Sequence, residues 1–567
     1  MPTIDLEYQE LERLLGLDLH WKMEPLDEIL ANVKGEVKLF NEQEGIVSIE
    51  MKDTNRPDLW SAEGLARGLR CYLGLEKGFR QYDVEEPIVE VNVDADLFSI
   101  RPFIACAVIK NVHLTDPVIR GLMHMQDKLD KTYGRSRQKT SIGIYNFDLI
   151  RPPIRYAAVR PADVSFVPLG FDEKLTLDEI LERHPKGVEY GHIVKKNPLY
   201  PMLFDSEGKV LSFPPIINSS DLGKITEESR NLLVEVTGTH QRAVVNTLTL
   251  VTSALIDRGG KAYSAKIRYP EGSEYRLGDV VTPDFSSRTV PLSVEYTNRL
   301  LGLELSAKRI CELLLTAGLG VGKVQGDIVD VVVPCYRVDV MHQVDLIEDV
   351  AVAYGYNNIE CLWREMPTTG RAKPDQRRID VARELMVGLG YQEILTYTLT
   401  DEESLFGKMN TKETPRVEIA NPKVASMTCL RNWLLPSLMG FLSSNQSVEF
   451  PQRIFELGKV TFPDDAKETK TRDEEWLAAA STHANANFTE IKSALDAFMS
   501  NLGVAWQIKA AAHPSFIEGR IGAVLIGGVE AGFVGEINPT VLEAWKLENP
   551  VAAFEVDLQK ILLAKTK

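Results

Sequence analysis

The chain has 567 residues, enough at about 150 residues per domain for three or four domains. A hydrophobic fraction of 44% with 26% charged residues is ordinary globular composition and excludes wholesale disorder or a fibrous architecture. Lys and Arg number 64 against 81 Asp and Glu, and the net charge of −17 opposes a broad electrostatic grip on nucleic acid, so RNA contact must rest on local basic patches or a partner.

The start MPTIDLEYQELERLLG carries acids where a signal or transit peptide needs bases, and reads as a structured beginning. Residues 1–90 mix short strands with a helix after Asn55-Arg56-Pro57-Asp58, where Leu59, Leu65, Leu69 and Tyr72 give one apolar face. Residues 91–285 are strand-rich with intervening helices. VEVNV, FIACAVI, TSIGIY, NLLVEVTG and NTLTLVTSAL are their clearest apolar stretches. Within Leu232–Thr237, alternation puts Leu233, Glu235 and Thr237 on one face and Leu232, Val234 and Val236 on the other. That first face either lines a small pocket that hydrogen-bonds a hydroxyl or is solvent-exposed with an idle acid.

Residues 286–362 form a helix–helix–strand–strand–helix unit. Its Gly318-Leu319-Gly320-Val321-Gly322-Lys323 lacks the GxxxxGK[ST] pattern of a phosphate loop, because Val324 follows the lysine and Ala317 stands five before Gly322. A helix with Ser306 as N-cap precedes the glycines, so they read as a helix end and turn. Arg56-Pro-Asp58 and Arg337-Val-Asp339 each precede a helix ending near a glycine, Gly74 and Gly355, at equal spacing. This weak echo hints that the two modules are related. On a helix from about Gln343, the stripe Val344, Ile347, Ala351 and Tyr354 faces the core and places Asp345, Glu348 and Asp349 together on the opposite side. With Asp339 these acids either form an all-oxygen Mg²⁺ set or sit on a wet face near a helix N-terminus.

Residues 363–374 read as a linker, and 375–567 alternate helices and strands around an expected antiparallel sheet, an α+β domain. The run DDAKETKTRDEE (464–475) reads as a solvated loop. No stretch of about 18 apolar residues could span a membrane. HExxH, GxSxG and CxxC are missing, and the six scattered cysteines fit reduced thiols in a cytoplasmic protein.

Taken together, NRPDLWSAEGLARGLR (55–70), GRSRQKTSIGIYNFD (134–148), YPMLFD (200–205), PPIINS (214–219), LLVEVTGT (232–239), VPCYRVDVMHQVDLIEDVAVAYGY (333–356), NPKVASMTCLRNWLLPSL (421–438) and RIFELGKV (453–460) resemble the β subunit of phenylalanyl-tRNA synthetase in its short archaeal/eukaryotic form. The resemblance covers nearly the whole chain and implies a multidomain α+β protein. Its parts would be a B1-like domain (1–90), a B3/B4-type tRNA-editing domain (91–285), a winged-helix-like B5 module that binds Mg²⁺ (286–362), the linker, and a class II synthetase-like antiparallel-sheet domain lacking catalytic motifs (375–567).

The resemblance further implies assembly with a catalytic α subunit as an (αβ)₂ heterotetramer. Phenylalanine and ATP would react at the α-subunit site to charge tRNA(Phe), while this chain hydrolyses misacylated Tyr-tRNA(Phe). RIFELG resembles the second class II motif, but no arginine occurs from Ile521 to Lys567 to serve the third. For editing, the family pattern falls on Leu203, Ser212, Asn218, Glu235 and Thr237. Glu235 is expected to accept the tyrosyl hydroxyl, with Ser212 and Thr237 near the substrate, Leu203 shaping the wall and Asn218 helping to orient a water. Arg135, Arg137 and Lys139 either meet phosphates of the tRNA end or are surface charge. Tyr145-Asn146 stands where the family often shows His-Asp and is assigned no role. The resemblance assigns Mg²⁺ to Asp339, Asp345, Glu348 and Asp349. Two rivals are an RNA-binding scaffold without hydrolytic activity and a free-standing trans-editing hydrolase.

Overall fold

In a computed structural model the chain divides into two compact units, Met1–Trp363 and Arg364–Lys567. The structure describes residues 2–17, 23–272, 274–275, 277–362 and 369–564. The expected linker lies partly outside the described residues. Its last residue, Pro374, instead opens the helix Pro374–Gly388, at a position where the missing proline N–H costs nothing.

The first unit is built around a ten-stranded sheet. From one edge the order is Ile217–Asn218, Val210–Phe213, Tyr200–Phe204, Ile154–Val159, Val84–Val93, Lys261–Arg268, Phe103–Lys110, Leu232–Gly238 and Thr140–Asn146, with Asp279–Thr282 paired to Lys261–Arg268 off this path. Because Val84–Val93 belongs to this sheet, the sheet domain begins upstream of the expected boundary at 91. One face, including Ala105, Ala107, Ile142, Ile144, Leu232, Val234 and Val236, shares a core with residues of the helices Asp116–Lys131 and Gln241–Asp257. The other face carries Ile104, Cys106, Val108, Tyr145, Leu203 and Leu233 into a second core. The apolar run at 246–255 lies within the second of those helices, where Thr249 and Thr252 return their hydroxyls to the carbonyls of Val245 and Leu248. Internal satisfaction of those hydroxyls lets a β-prone composition serve as a buried helix.

Two small modules in the same unit repeat one topology. The first runs strand Thr3–Glu7, helices Tyr8–Leu15 and Met23–Ala31, strands Gly35–Asn41 and Ile46–Met51, helix Ala62–Tyr72. The second runs strand Arg288–Ser293, helices Val294–Leu301 and Ala307–Thr316, strands Gly320–Gln325 and Ile328–Val333, helix Gln343–Tyr354. In both, the third strand lies between the first and second. The sequence echo has the same chemistry in each copy: Arg56 donates to both oxygens of Asp58 at 2.9 and 2.8 Å, and Arg337 to both of Asp339 at 2.9 and 2.8 Å. Gly318, at φ +74, follows the helix Ala307–Thr316 and leads into the strand Gly320–Gln325, as a helix end and turn requires.

The second unit holds a seven-stranded sheet in the order Gln392–Glu393, Gln452–Pro463, Thr471–Thr482, Val551–Asp557, Val529–Ile537, Phe516–Ile526, Gln507–Ala510. Every neighbouring pair is antiparallel except the first. The expected loop at 464–475 is only half a loop, since 471–475 begin the strand Thr471–Thr482. On one face, Glu456 and Glu555 flank Ala478 in a single cross-strand row, both buried. Arg431 pairs with Glu456 at 2.8 Å and donates to Thr396 Oγ1 at 2.7 Å. Glu555 accepts the N–H groups of Leu434 and Leu435, which lead into the helix Leu435–Ser444. The acidic row is thus neutralised from within, by a guanidinium and a helix start.

Candidate functional site

The strand Leu232–Gly238 is central, paired on one side with Phe103–Lys110 and on the other with Thr140–Asn146. All seven residues are buried, so the reading of an exposed face with an idle acid is overturned. Across from Leu233, Glu235 and Thr237 stand Tyr145, Gly143 and Ser141. Gly143 is required there, because a Cβ would overlap both the Tyr145 hydroxyl and Glu235 Oε2.

Glu235, Tyr145 and Ser212 form one hydrogen-bonded chain. Glu235 Oε2 accepts the Tyr145 hydroxyl at 2.7 Å, and that hydroxyl lies 2.9 Å from Ser212 Oγ. Ser212 belongs to the second strand from one sheet edge and Tyr145 to the opposite edge strand, so the sheet curls until its two ends meet. Glu235 Oε1 is buried and has no hydrogen-bond partner of normal geometry. Burial drives the Glu235 carboxyl up to about 7, against the opposing pull of the Tyr145 hydroxyl, the Arg101 charge and Thr237.

A cavity of about 110 Å³ opens beside this carboxylate, lined among others by Ser141, Ser212, Pro215, Asn218, Arg137 and Glu235. An apolar cavity of about 150 Å³ holds a benzene ring, so this one has the scale of a single aromatic ring. Leu203, Ser212 and Asn218 lie in one cross-strand row. Of the five residues expected from the family pattern, the structure brings Ser212, Asn218 and Glu235 to the cavity. Leu203 and Thr237 are buried and are not among its lining residues.

Thr237 is occupied by a residue that the sequence reading missed. Arg101 is fully buried and donates to Thr237 Oγ1 at 2.9 Å, Thr237 O at 2.8 Å, Ser141 Oγ at 3.0 Å and Arg137 O at 3.1 Å. Its signal in the sequence was slight, a lone arginine in IRPF ahead of an apolar strand. Tyr145, assigned no role above, was legible in principle, since alternation in TSIGIYN sets Ser141, Gly143 and Tyr145 on one face.

The basic loop divides. Arg135, Ser136 and Arg137 all have positive φ. Arg137 pairs with buried Asp130 at 3.0 Å, donates to the carbonyls of Pro215 and Ile216, and stacks on Tyr190. It therefore ties two loops at the cavity. Lys139 lies over the Tyr133 ring, and Arg135 is exposed. Burial pushes Asp130 up to about 7 despite Arg137 and Arg101.

The acids of the second module do not form the expected Mg²⁺ set. Asp339 and Asp349 both accept from the buried guanidinium of Arg337, Asp349 at 2.7 Å. Asp345 Oδ2 accepts the N–H groups of Met341 and His342 as part of a capping box, and Glu348 pairs with Lys34. Among the described residues no group of three or more His, Cys, Asp or Glu side chains is placed to hold a metal ion. The expected helix stripe holds at Ile347 and Ala351, which are buried, and is corrected at Val344, which is exposed, while Leu346, Val350 and Asp349 are buried as well. An internal arginine, unforeseen in the helical count, turns Asp349 inward. The Asp345→Ala variant is expected to lose about 1 kcal/mol through the cap, read as a lower urea midpoint equal in the presence and absence of Mg²⁺.

Comparison with known proteins now defines the class. Residues 290–356 match the tRNA synthetase B5 domain, and residues 361–558 match the phenylalanyl tRNA synthetase beta chain CLM domain. Relatives described as phenylalanine–tRNA ligase beta subunit include one from Pyrococcus furiosus, 44% identical over 99% of this chain and 100% of its own length. One from Methanococcoides burtonii is 38% identical over 98% and 100%. The crystal structure of an N-terminal fragment of the phenylalanyl-tRNA synthetase beta subunit from Pyrococcus horikoshii is 39% identical and covers 63% of this chain and all of that one, with a TM-score of 0.60. The chain belongs to the phenylalanine–tRNA ligase beta-subunit family. Among the described residues, no helix is long and apolar enough to cross a membrane.

Proposed function

We propose that this chain assembles with a catalytic α subunit as an (αβ)₂ heterotetramer in the cytoplasm and uses the Glu235 cavity to hydrolyse Tyr-tRNA(Phe). ATP and phenylalanine react on the α subunit in this reading. The supporting observation is a buried carboxylate oxygen, Glu235 Oε1, that has no hydrogen-bond partner of normal geometry and lies at a ring-sized cavity. A site built to hydrogen-bond a hydroxyl rejects the analogue lacking it by roughly 10⁴–10⁵, which a phenylalanine-accepting synthetic pocket cannot do for the reverse pair. Glu235 takes the phenolic proton, Ser212 lies beside it, and Thr237 and Leu203 support the wall. In this reading Asn218, which with Gln126 supplies an amide side chain to the cavity lining, orients the attacking water. Arg135 is the exposed cation of the loop available to a tRNA phosphate, whereas Arg137 and Lys139 are engaged within the chain.

Deacylation of Tyr-tRNA(Phe) by the αβ complex tests this. Glu235→Ala is expected to slow it by about a hundredfold or more, with phenylalanine charging unchanged. A wild-type complex inactive on that substrate would leave the scaffold reading in place.

A further inference from the structure

The hydrogen-bond chain behind Glu235 has a direction, and the direction decides what the cavity can bind. A phenol carries one proton and a serine hydroxyl one proton, while a carboxylate carries none. Tyr145 is fully buried and touches both Glu235 Oε2, at 2.7 Å, and Ser212 Oγ, at 2.9 Å. Where Glu235 is ionised, above about pH 7, it can only accept, so the phenolic proton goes to Glu235. The bond to Ser212 is then completed by the serine proton. Both cavity-lining groups, Glu235 Oε1 and Ser212 Oγ, are left with lone pairs and no proton to offer.

We infer that Tyr145 is a positioning residue which, by consuming the Ser212 proton and holding one oxygen of Glu235, makes the cavity an acceptor-only site selective for a hydroxyl donor on an aromatic ring. The inference deepens the editing reading and rests on it for the identity of the substrate. Three neighbours keep the relay in place. Gly143 leaves room for the phenol, Leu233 lies opposite Tyr145 in register, and the ring itself sits in the core with Leu203 and Tyr156. The Tyr145 side chain is fully buried, and its hydroxyl is hydrogen-bonded to Ser212 and Glu235. Its effect on a ligand is therefore indirect.

Tyr145→Phe keeps the ring and deletes the relay. Ser212 is then free to point its proton into the cavity, and Glu235 to rotate. The ratio of Tyr-tRNA(Phe) to Phe-tRNA(Phe) hydrolysis by the complex is expected to fall about tenfold, most of it in KM for the tyrosyl ester. Ser212→Ala retains the Tyr145–Glu235 bond and is expected to cost less than Tyr145→Phe. An unchanged ratio in a folded Tyr145→Phe protein would overturn the proposal.

Binding of p-cresol against toluene to the full chain, followed by calorimetry with Glu235→Gln as the control for this site, separates the two layers of the argument. Preference for p-cresol that is present in the wild type and lost in Tyr145→Phe supports the relay even if no ester is hydrolysed, in which case only the editing reading fails. No preference in the wild type, or one that survives Tyr145→Phe, overturns the relay.

Discussion

Glu235→Gln is expected to stabilise the first unit at pH 8 by up to about 3 kcal/mol while leaving its stability near pH 4.5 almost unchanged. The native carboxyl titrates at about 7 and an ordinary one at 4.5, chiefly because burial disfavours the charge. The native state therefore holds the proton over a range where the unfolded chain has released it. Stability supplied by this group is full below about pH 4.5, declines as pH rises towards 7, and is flat above. Glutamine carries no such slope, so the difference between variant and wild type opens across that window. The groups around Glu235 are Tyr145 and Thr237, the charged Arg101, Asp130, which burial also raises to about 7, and the neutral Cys106 and Tyr156. Arg101 only partly offsets the burial cost. Denaturant melts of the full chain at the two pH values check the prediction, with the unfolding of the first unit followed separately because two units need not unfold together. Equal gains at both pH values would mean that Glu235 is not held above its usual range. The site thus retains a group that opposes folding at neutral pH, a mark of a functional position.

Much of the local architecture was legible before any coordinates. Period-2 alternation in LLVEVTG separated Glu235 and Thr237 from the valines, and that separation is the one the two cores show. The spacing shared by Arg56-Pro-Asp58 and Arg337-Val-Asp339 anticipated two modules that have one topology. What alternation cannot give is which remote strand closes over a face. Ser212 reaches Tyr145 only because a sheet of many strands curls end to end, and no short-range pattern encodes that closure. The same limit explains Thr237. Its face was read correctly, but its hydroxyl oxygen accepts from Arg101, a residue 136 positions away. Along the acidic helix the 3.6 period placed the turns, yet Asp349 turns inward to the buried guanidinium of Arg337 instead of onto the expected wet face.

Arg337→Met is expected to destabilise the first unit by about 3–5 kcal/mol, because breaking a buried ion pair strands its partner. Here two carboxylates are stranded. Arg337 is 3% exposed, binds both oxygens of Asp339, and reaches Asp349 with the same Nη2. Burial opposes the charge on Asp339, but the hydrogen bonds and charge of Arg337 outweigh it and hold that carboxyl below its usual range. Burial prevails at Asp349 and raises it, although Arg337 and Arg56 pull the other way. Arg56 stands 3.7 Å from Asp339 and is itself committed to Asp58, so it is poorly placed to take over. Neutralising the stranded acids in the triple variant Arg337→Met, Asp339→Asn, Asp349→Asn is expected to recover most of the loss, since an apolar or neutral replacement of a whole buried ion cluster costs little. Denaturation midpoints of the three proteins decide this. The same measurement addresses the cation once expected at these acids. With Arg337 supplying the positive charge, the wild-type midpoint is expected to be equal with Mg²⁺ and with a chelator. A ligand bound only by the folded state would raise it by mass action, and a rise that vanished in Asp345→Ala would return the metal to this module.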